Sequence, residues 1–150
     1  MMPNRRTTSR RPGTDPVKAR TRQLHATLRR RANGAEVMSL DELRAEFDFF
    51  MRSGARCAYC RERVTHVTVS LDHRIPVKRG GWHSMSNLAF CCKGCNGSKG
   101  NMTDAEYRSL LKHLEAWEVE NKNFTLKAGV LSAMRAGNSF RIGAQRRAKR

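Results

Sequence analysis

The chain has 150 residues, a formal net charge of +17, an apolar fraction of 39% and a charged fraction of 29%. This length allows one domain but not two full ones, and no apolar run approaches the roughly 18 residues needed to span a bilayer. Because the N-terminus also lacks the apolar stretch of a signal peptide, we expect a cytoplasmic protein with no membrane partner.

Positive charge is concentrated at the two ends of the chain. Residues 1–34 hold ten basic side chains and one acidic one, and residues 136–150 hold five basic side chains and no acid. A polyanion is the expected partner, since each neutralised phosphate releases counterions; a solvated tail that only keeps the protein dissolved is the alternative. We therefore expect a flexible basic arm (1–16), a central domain with flanking helices (17–136) and a basic tail (137–150).

Two helices are predicted ahead of the central segment. A basic helix is expected over residues 17–31, where Asn33-Gly34 would stop it. The capping box Ser39-x-x-Glu42 then opens a helix that runs to about Arg52. Apolar residues of this second helix recur on one face at helical spacing, which indicates packing in the core.

A strand and a short apolar segment follow. Residues 66–71 alternate between apolar and polar side chains, which predicts a half-buried strand. The end of this strand would place Asp72 and His73 at the mouth of a turn. A basic loop at 78–81 and a short apolar segment at 88–90 come next.

The last third of the chain is predicted to be helical. The capping box Thr103-x-x-Glu106 opens a helix to about Glu120, and its buried stripe comprises Tyr107, Leu110, Leu111, Leu114 and Trp117. A weaker helix is expected over 124–136, before the basic tail. We find no internal repeat.

Four of the five cysteines form two matched pairs, Cys57-x-x-Cys60 and Cys92-x-x-Cys95. Each such knuckle can direct two thiolates at one tetrahedral ion, so the two pairs predict a closed structural Zn²⁺ site. A redox C-x-x-C would occur once, near a βαβ pattern, and that pattern is absent. Cys91 is the spare cysteine, and we expect it to behave as an apolar residue at a strand end.

Five short strings occur in order in the middle third of the chain: Cys-Ala-Tyr-Cys (57–60), Leu-Asp-His-Arg-Ile-Pro (71–76), Arg-Gly-Gly (79–81), Asn-Leu (87–88) and Cys-Lys-Gly-Cys-Asn-Gly-Ser-Lys-Gly (92–100). With these strings the segment resembles the HNH endonuclease family, in its cysteine-containing branch of phage and bacterial proteins. The resemblance implies an α+β fold: a small ββα-metal core (the HNH or His-Me finger) with a Cys₄ zinc site, flanked by helices and basic flexible termini. One departure is Asn96, which stands where the family name implies a final histidine.

The resemblance also implies a site that hydrolyses DNA phosphodiester bonds and leaves 5′-phosphate and 3′-hydroxyl ends. His73 is the expected general base, since the pKa of imidazole suits proton transfer near neutral pH. Asp72 and Asn96 are the expected ligands of a catalytic Mg²⁺ or Mn²⁺, which would stabilise the leaving 3′ oxygen. Asn87 is expected to brace the loop that carries the histidine.

Four basic residues of this segment are suited to phosphate contact, with surface salt bridges as the alternative for each: Arg74, Lys78, Arg79 and Lys99. His83 is expected to be an exposed loop histidine rather than a contact to phosphate or metal.

The sequence as a whole predicts a metal-dependent HNH endonuclease that acts on DNA, with no oligomeric state implied. The alternative is a non-catalytic zinc-containing module that binds nucleic acid, or an accessory subunit that docks on phage packaging or replication proteins. A redox protein is a third reading, and it would need cysteine pairs without metal.

Overall fold

The computed structural model describes residues 15–122 and 125–147, with side chains through Ser139. Two 3₁₀ turns, Val77–Arg79 and Met85–Asn87, lie between the two strands. None of the described helices is both long and apolar enough to cross a membrane. The described part of the chain contains, in order, α1 (Pro16–Ala32), α2 (Leu40–Arg52), β1 (Val69–His73), β2 (Leu88–Cys92), α3 (Lys93–Lys99), α4 (Asp104–Asn121) and α5 (Leu126–Arg147).

Helix α1 begins and ends at residues that cap it. The carboxylate of Asp15 accepts hydrogen bonds from two backbone N–H groups of the first turn, which otherwise lack partners inside the helix. The helix ends because Asn33 and Gly34 adopt φ angles of 49° and 92°, a left-handed conformation that closes helices. The predicted helix over 17–31 is confirmed, whereas residues 1–14 of the predicted arm lie outside the described residues.

Helix α2 opens with the predicted capping box. The backbone N–H of Glu42 donates to Ser39 Oγ at 3.1 Å, and that of Ser39 donates to Glu42 Oε2 at 2.7 Å. The apolar face of α2 packs on the sheet, where the rings of Phe47 and Phe50 lie 5.4 and 4.7 Å from the ring of Phe90, centroid to centroid. The prediction that this helix packs in the core is confirmed.

Strands β1 and β2 pair antiparallel, with Val69 opposite Cys92 and His73 opposite Leu88. With α3 directly after β2, they form the ββα core of the predicted α+β fold. One core cluster holds buried residues from α1 to α4, among them Leu24, Leu28, Leu43, Phe47, Val69, Leu71, Leu88, Phe90, Tyr107 and Leu111.

The predicted position of the first strand is wrong by about three residues. The strand begins at Val69 and extends through His73, whereas Val67 is 59% exposed. The cause is a turn in which the backbone O of Thr65 accepts the N–H of Thr68 at 3.1 Å, while the N–H of Thr65 donates to Thr68 Oγ1 at 2.8 Å. Threonine side chains that bond the backbone in this way compete with strand pairing.

Helix α4 also opens with its predicted capping box, at Thr103. Of its predicted stripe, Tyr107 and Leu111 are buried, but Trp117 is 43% exposed and lies outside the core.

Helix α5 extends well beyond the predicted range of 124–136. It continues through Arg147, because Gly137 does not interrupt it and the next residue contacts the core. The side-chain amide of Asn138 donates to the backbone O of Gly97 at 2.8 Å and of Ser98 at 3.3 Å. The tail predicted at 137–150 is therefore helical as far as Arg147, and residues 148–150 lie outside the described part.

Candidate active site and metal centre

The four paired cysteines converge on one point beside the hairpin. The Sγ atoms of Cys57, Cys60, Cys92 and Cys95 all lie within 4.8 Å of one another, and those of Cys60 and Cys92 are 4.0 Å apart. A tetrahedral ion with metal–sulfur distances of about 2.3 Å holds its sulfurs about 3.8 Å apart. The donor set and its spacing therefore fit a four-thiolate metal site, with zinc as a suitable ion.

The backbone around the cluster favours ionised thiols. The N–H groups of Tyr59 and Cys92 donate to Cys57 Sγ at 3.4 and 3.3 Å, and the N–H of Cys95 donates to Cys92 Sγ at 3.2 Å. Hydrogen bonds to the charged form stabilise it, but burial raises the pKa of the Cys60 thiol to about 11. A divalent cation would remove that penalty and the mutual repulsion of the thiolates.

Cys91 takes no part in this cluster. It lies in β2 opposite Ser70 and is fully buried. Burial raises the pKa of its thiol, so it remains neutral. Its position agrees with the expectation of an apolar residue in a strand.

His73 ends strand β1 and is only 6% exposed. Its Nε2 lies 2.9 Å from Nδ1 of His83, and the two rings meet edge to face with their centroids 4.9 Å apart. Burial is the main cause that lowers the pKa of His73 to about 4, and the electrostatic influence of His83, Arg31 and Lys99 adds to it. The ring is thus neutral near pH 7, and its Nε2 is oriented by a hydrogen bond with His83.

The prediction that His83 is an exposed loop histidine is wrong, because this residue is 5% exposed. Its backbone O accepts the N–H of Met38 at 3.2 Å, next to a strand-like bridge between Val37 and His83. The connection between α1 and α2 therefore covers the loop that carries His83. Sequence reasoning missed this residue because the contact joins segments far apart in the chain.

Asn87 is buried and ties together both ends of the loop that follows His73. Its Oδ1 accepts the N–H of Ile75 at 2.8 Å, and its Nδ2 donates to the backbone O of Ile75 and of Trp82 at 3.0 and 2.9 Å. Gly81 is required beside it, because a Cβ there would lie 1.8 Å from the O of Ile75. Asn87 thus occupies a bracing position and does not face the cavity next to His73.

The carboxylate of Asp72 accepts hydrogen bonds from two buried side chains of the protein. Tyr59 donates its hydroxyl to Oδ2 at 2.6 Å, and Nζ of Lys99 lies 3.0 Å from the same oxygen and 3.3 Å from Oδ1. Burial and the Asp72 carboxylate raise the pKa of Tyr59, so its hydroxyl keeps the proton that it donates. Lys99 also donates to the backbone O of His73 at 2.7 Å and is 1% exposed. Lys99, which is predicted to contact phosphate, is therefore part of the core. Its ion pair with Asp72 accounts for this burial, and the sequence alone does not reveal that pair.

The residues predicted to act together face opposite sides of the hairpin. Consecutive strand residues point to opposite faces, so Asp72 contacts Tyr59 and Lys99 while His73 contacts His83. The Nδ2 of Asn96 donates to Ser70 Oγ at 2.6 Å. The carboxylate and amide oxygens are suitable ligand types for a hard divalent ion. In this arrangement, however, the Asp72 carboxylate forms a closed ion pair rather than an open metal site.

Two of the other basic residues predicted to contact phosphate are paired with acids of α4. Arg74 lies 3.2 Å from Asp104, and Arg79 contacts both carboxylate oxygens of Glu106. Lys78 is exposed. For the two arginines, the salt-bridge alternative describes the structure, since each guanidinium is already turned towards a carboxylate.

Comparison with known proteins gives a family match to this region and a similarity to a curated protein. Residues 57–112 match a family model described as HNH endonuclease. A stretch of 51 residues is 37% identical to the CRISPR-associated endonuclease Cas9 of Corynebacterium diphtheriae, and it covers 33% of this chain but 5% of that relative. The matched segment contains the two cysteine knuckles, the hairpin and α3. Residues 57–112 are therefore similar in sequence to HNH endonucleases, and the chain spans only a small part of the relative that it matches.

Proposed function

We propose that this protein is an endonuclease that hydrolyses phosphodiester bonds in DNA, with His73 as its general base. The observation that carries the proposal is the His73 ring, which is buried, neutral and hydrogen-bonded to His83 inside the family-matched segment. A base oriented by a second group and poised beside a cavity is the arrangement that general-base catalysis requires.

The proton transfer follows from the hydrogen bond between the two histidines. If Nε2 of His73 carries its proton and donates it to Nδ1 of His83, then Nδ1 of His73 has a free lone pair. That nitrogen takes a proton from a water molecule as the water oxygen attacks phosphorus. The bond from phosphorus to the 3′ oxygen then breaks, and the 3′ oxygen becomes a hydroxyl by taking a proton from solvent. The product ends are a 5′-phosphate and a 3′-hydroxyl.

The ligands proposed for a divalent Mg²⁺ or Mn²⁺ are Asp72 and Asn96. When bound, such an ion supplies electrostatic stabilisation of the phosphate and of the leaving oxygen. Asp72 can serve as a ligand only after Lys99 moves away from its carboxylate. The ion would thus compete with an ammonium for the same oxygens.

Zn²⁺ is the ion proposed for the cysteine cluster, in a structural role. A closed set of four thiolates leaves no position for water or substrate. The cluster ties the first knuckle to the start of α3 and so holds the hairpin between them.

A second candidate is a non-catalytic zinc-containing module that binds nucleic acid or serves as an accessory subunit of a phage DNA-processing machine. The closed Asp72–Lys99 pair favours this candidate, because it withholds the only acidic ligand proposed for a catalytic ion. The two candidates differ in whether His73 is needed for cleavage.

Cleavage of supercoiled plasmid separates them. Zinc-loaded protein is incubated with plasmid plus Mg²⁺, Mn²⁺ or no added divalent ion, and single-turnover rates are measured for wild type, His73→Ala and His113→Ala. His113 is exposed on α4 and, in the described part of the chain, bonds within its own helix to Ser109, so it is the matched control. We expect His73→Ala to lose about 10²–10⁴-fold in rate and His113→Ala to match wild type. A folded, zinc-loaded His73→Ala that cleaves at the wild-type rate would contradict the proposal and favour the binding module.

A further inference from the structure

A cavity of about 100 Å³ lies between α1 and β1, and His73 forms part of its wall. Helix α1, which supplies the opposite wall, lies outside the family-matched residues 57–112. Two guanidinium side chains of this helix, Arg20 and Arg31, line the cavity together with Thr27, and no carboxylate does. The chamber next to the proposed base is therefore positively charged, and its charge comes from a helix that the family match does not include.

Arg20 lies at the edge of this cavity, and one of its buried N–H groups lacks a hydrogen-bond acceptor among the described residues. Its Nη2 donates to the backbone O of Val69 at 2.5 Å and its Nη1 to Gln23 Oε1 at 3.1 Å. Its Nε is buried and has no hydrogen-bond partner among the described residues. A buried donor without an acceptor is unfavourable, and a small shift of the Arg20 side chain towards an anion in the cavity would give this N–H an acceptor.

Arg31 lies in the last turn of α1 and makes no salt bridge with any carboxylate in residues 15–122 or 125–139. It is near enough to His73 for its charge to help lower the pKa of that ring. By contrast, Arg74, Arg79 and Lys99 are turned towards acids. Near His73, Arg31 is therefore a cation available to an incoming anion.

We propose that this cavity binds one backbone phosphate of the nucleic acid, with Arg31 as the principal contact and Arg20 as the second. The planar guanidinium group matches a phosphate through two parallel hydrogen bonds. A phosphate held there lies against His73, so α1 positions the bond to be cut. The inference rests on the proposed function, in which His73 is the general base.

The test compares Arg31→Gln with Arg29→Gln. Both residues are in the last turn of α1 and both substitutions remove one positive charge, but Arg29 does not line the cavity. Zinc-loaded proteins are titrated with a labelled DNA duplex without added Mg²⁺ or Mn²⁺, and the imidazole NMR signals of His73 and His83 are followed. We expect Arg31→Gln to weaken binding by about 10- to 100-fold and to abolish the ring-signal change at saturation. Arg29→Gln should weaken binding by less than about threefold, as expected for one exposed charge, and should keep the ring-signal change.

The outcomes separate this inference from the proposed function. Equal weakening in the two variants, or ring signals that do not respond to DNA in the wild type, would overturn the cavity site. If the ring signals respond as expected but the wild type never cleaves DNA, the cavity site stands and the nuclease proposal fails. If the wild type cleaves and Arg31→Gln binds and cleaves like Arg29→Gln, the nuclease proposal stands and the cavity site fails. Arg31→Lys keeps the positive charge but loses the planar guanidinium group, so its affinity for the DNA duplex should lie between those of wild type and Arg31→Gln.

Discussion

At the scale of single residues, the Asp72–Lys99 pair joins strand β1 to α3 inside the core. Each charge is stabilised only by the other and by a few hydrogen bonds, from Tyr59 to the carboxylate and from the ammonium to the backbone of His73. A buried charge that loses its partner is strongly unfavourable, whereas removal of both charges is often nearly neutral. The stability of the site therefore depends on the pair rather than on either residue.

Replacement of one partner should test this dependence. We expect Lys99→Met to lower the free energy of unfolding by about 3–5 kcal/mol, since Asp72 would remain buried without its cation. The double variant Lys99→Met/Asp72→Asn should recover most of that loss. The measurement is urea unfolding of the zinc-loaded proteins at pH 7.

The control for that cycle is the exposed pair between Arg79 and Glu106. Arg79→Gln should leave the free energy of unfolding nearly unchanged, because water screens a surface ion pair. A Lys99→Met protein as stable as Arg79→Gln would mean that the core tolerates an unpaired Asp72, and the coupling argued here would be wrong.

Gly81 is the second residue whose replacement has a clear expected cost. A methyl group there meets the backbone O of Ile75 and the side-chain N of Asn87 at 1.8 and 2.8 Å, so the brace around His73 must shift. We expect Gly81→Ala to lower the free energy of unfolding by about 1–3 kcal/mol and to slow any cleavage that depends on His73. Gly129→Ala on α5 is the matched control, since a Cβ there meets nothing within 4 Å. It should stabilise the helix by up to about 1 kcal/mol, so thermal melts of the two variants should shift in opposite directions.

At the scale of secondary structure, local signals were sufficient for the elements that carry their own caps. The capping boxes at Ser39 and Thr103 and the stop at Asn33-Gly34 involve residues near in sequence, and they predicted α1, α2 and α4 correctly. Strand β1 and helix α5 were misplaced in extent, because the Thr65 turn and the Asn138 contacts depend on partners that periodicity does not encode. The same difference between local and distant contacts explains which parts of the site could be predicted. The cysteine spacing predicted the metal cluster, whereas the burial of Lys99 and His83 depends on segments that are far apart in the sequence.

The contacts of Asn138 with α3 should contribute measurably to docking of α5. Asn138→Ala leaves the backbone carbonyls of Gly97 and Ser98 without this donor, so we expect a loss of about 1 kcal/mol in the free energy of unfolding. Asn121→Ala is the comparison, because among the described residues the side chain of Asn121 bonds within its own helix, to the backbone O of Trp117. Chemical denaturation of both variants, followed by far-UV circular dichroism, measures the difference. Equal effects would indicate that the Asn138 contacts are not needed to hold α5 against α3.

At the scale of the whole molecule, a small core is joined to an excess of positive charge. Most of the formal net charge of +17 comes from the two ends of the chain, and self-repulsion among like charges destabilises a compact state. A metal ion in the cysteine cluster would offset it, since the cluster joins the first knuckle, the hairpin and α3 at one point. We therefore expect folding of the central segment to be coupled to metal binding.

That coupling gives the last prediction, which concerns metal content and stability together. Purified protein should contain one tightly bound Zn²⁺ per chain, and Cys60→Ser or Cys95→Ser should lose the ion and the cooperative unfolding transition of the central segment. Cys91→Ala is the matched control, because this cysteine is buried in β2 outside the cluster. The variant should keep one Zn²⁺ per chain, and its free energy of unfolding should fall only by the amount that a shortened core side chain costs. Elemental analysis with thermal melts measures both quantities. Because His73 and Asp72 lie on the hairpin that the cluster holds, metal loss should also remove any DNA cleavage, even though no cysteine contacts the substrate. A metal-free protein with the melting curve of the wild type would show that the hairpin is held by its hydrophobic core, and that the cluster is not required for the fold.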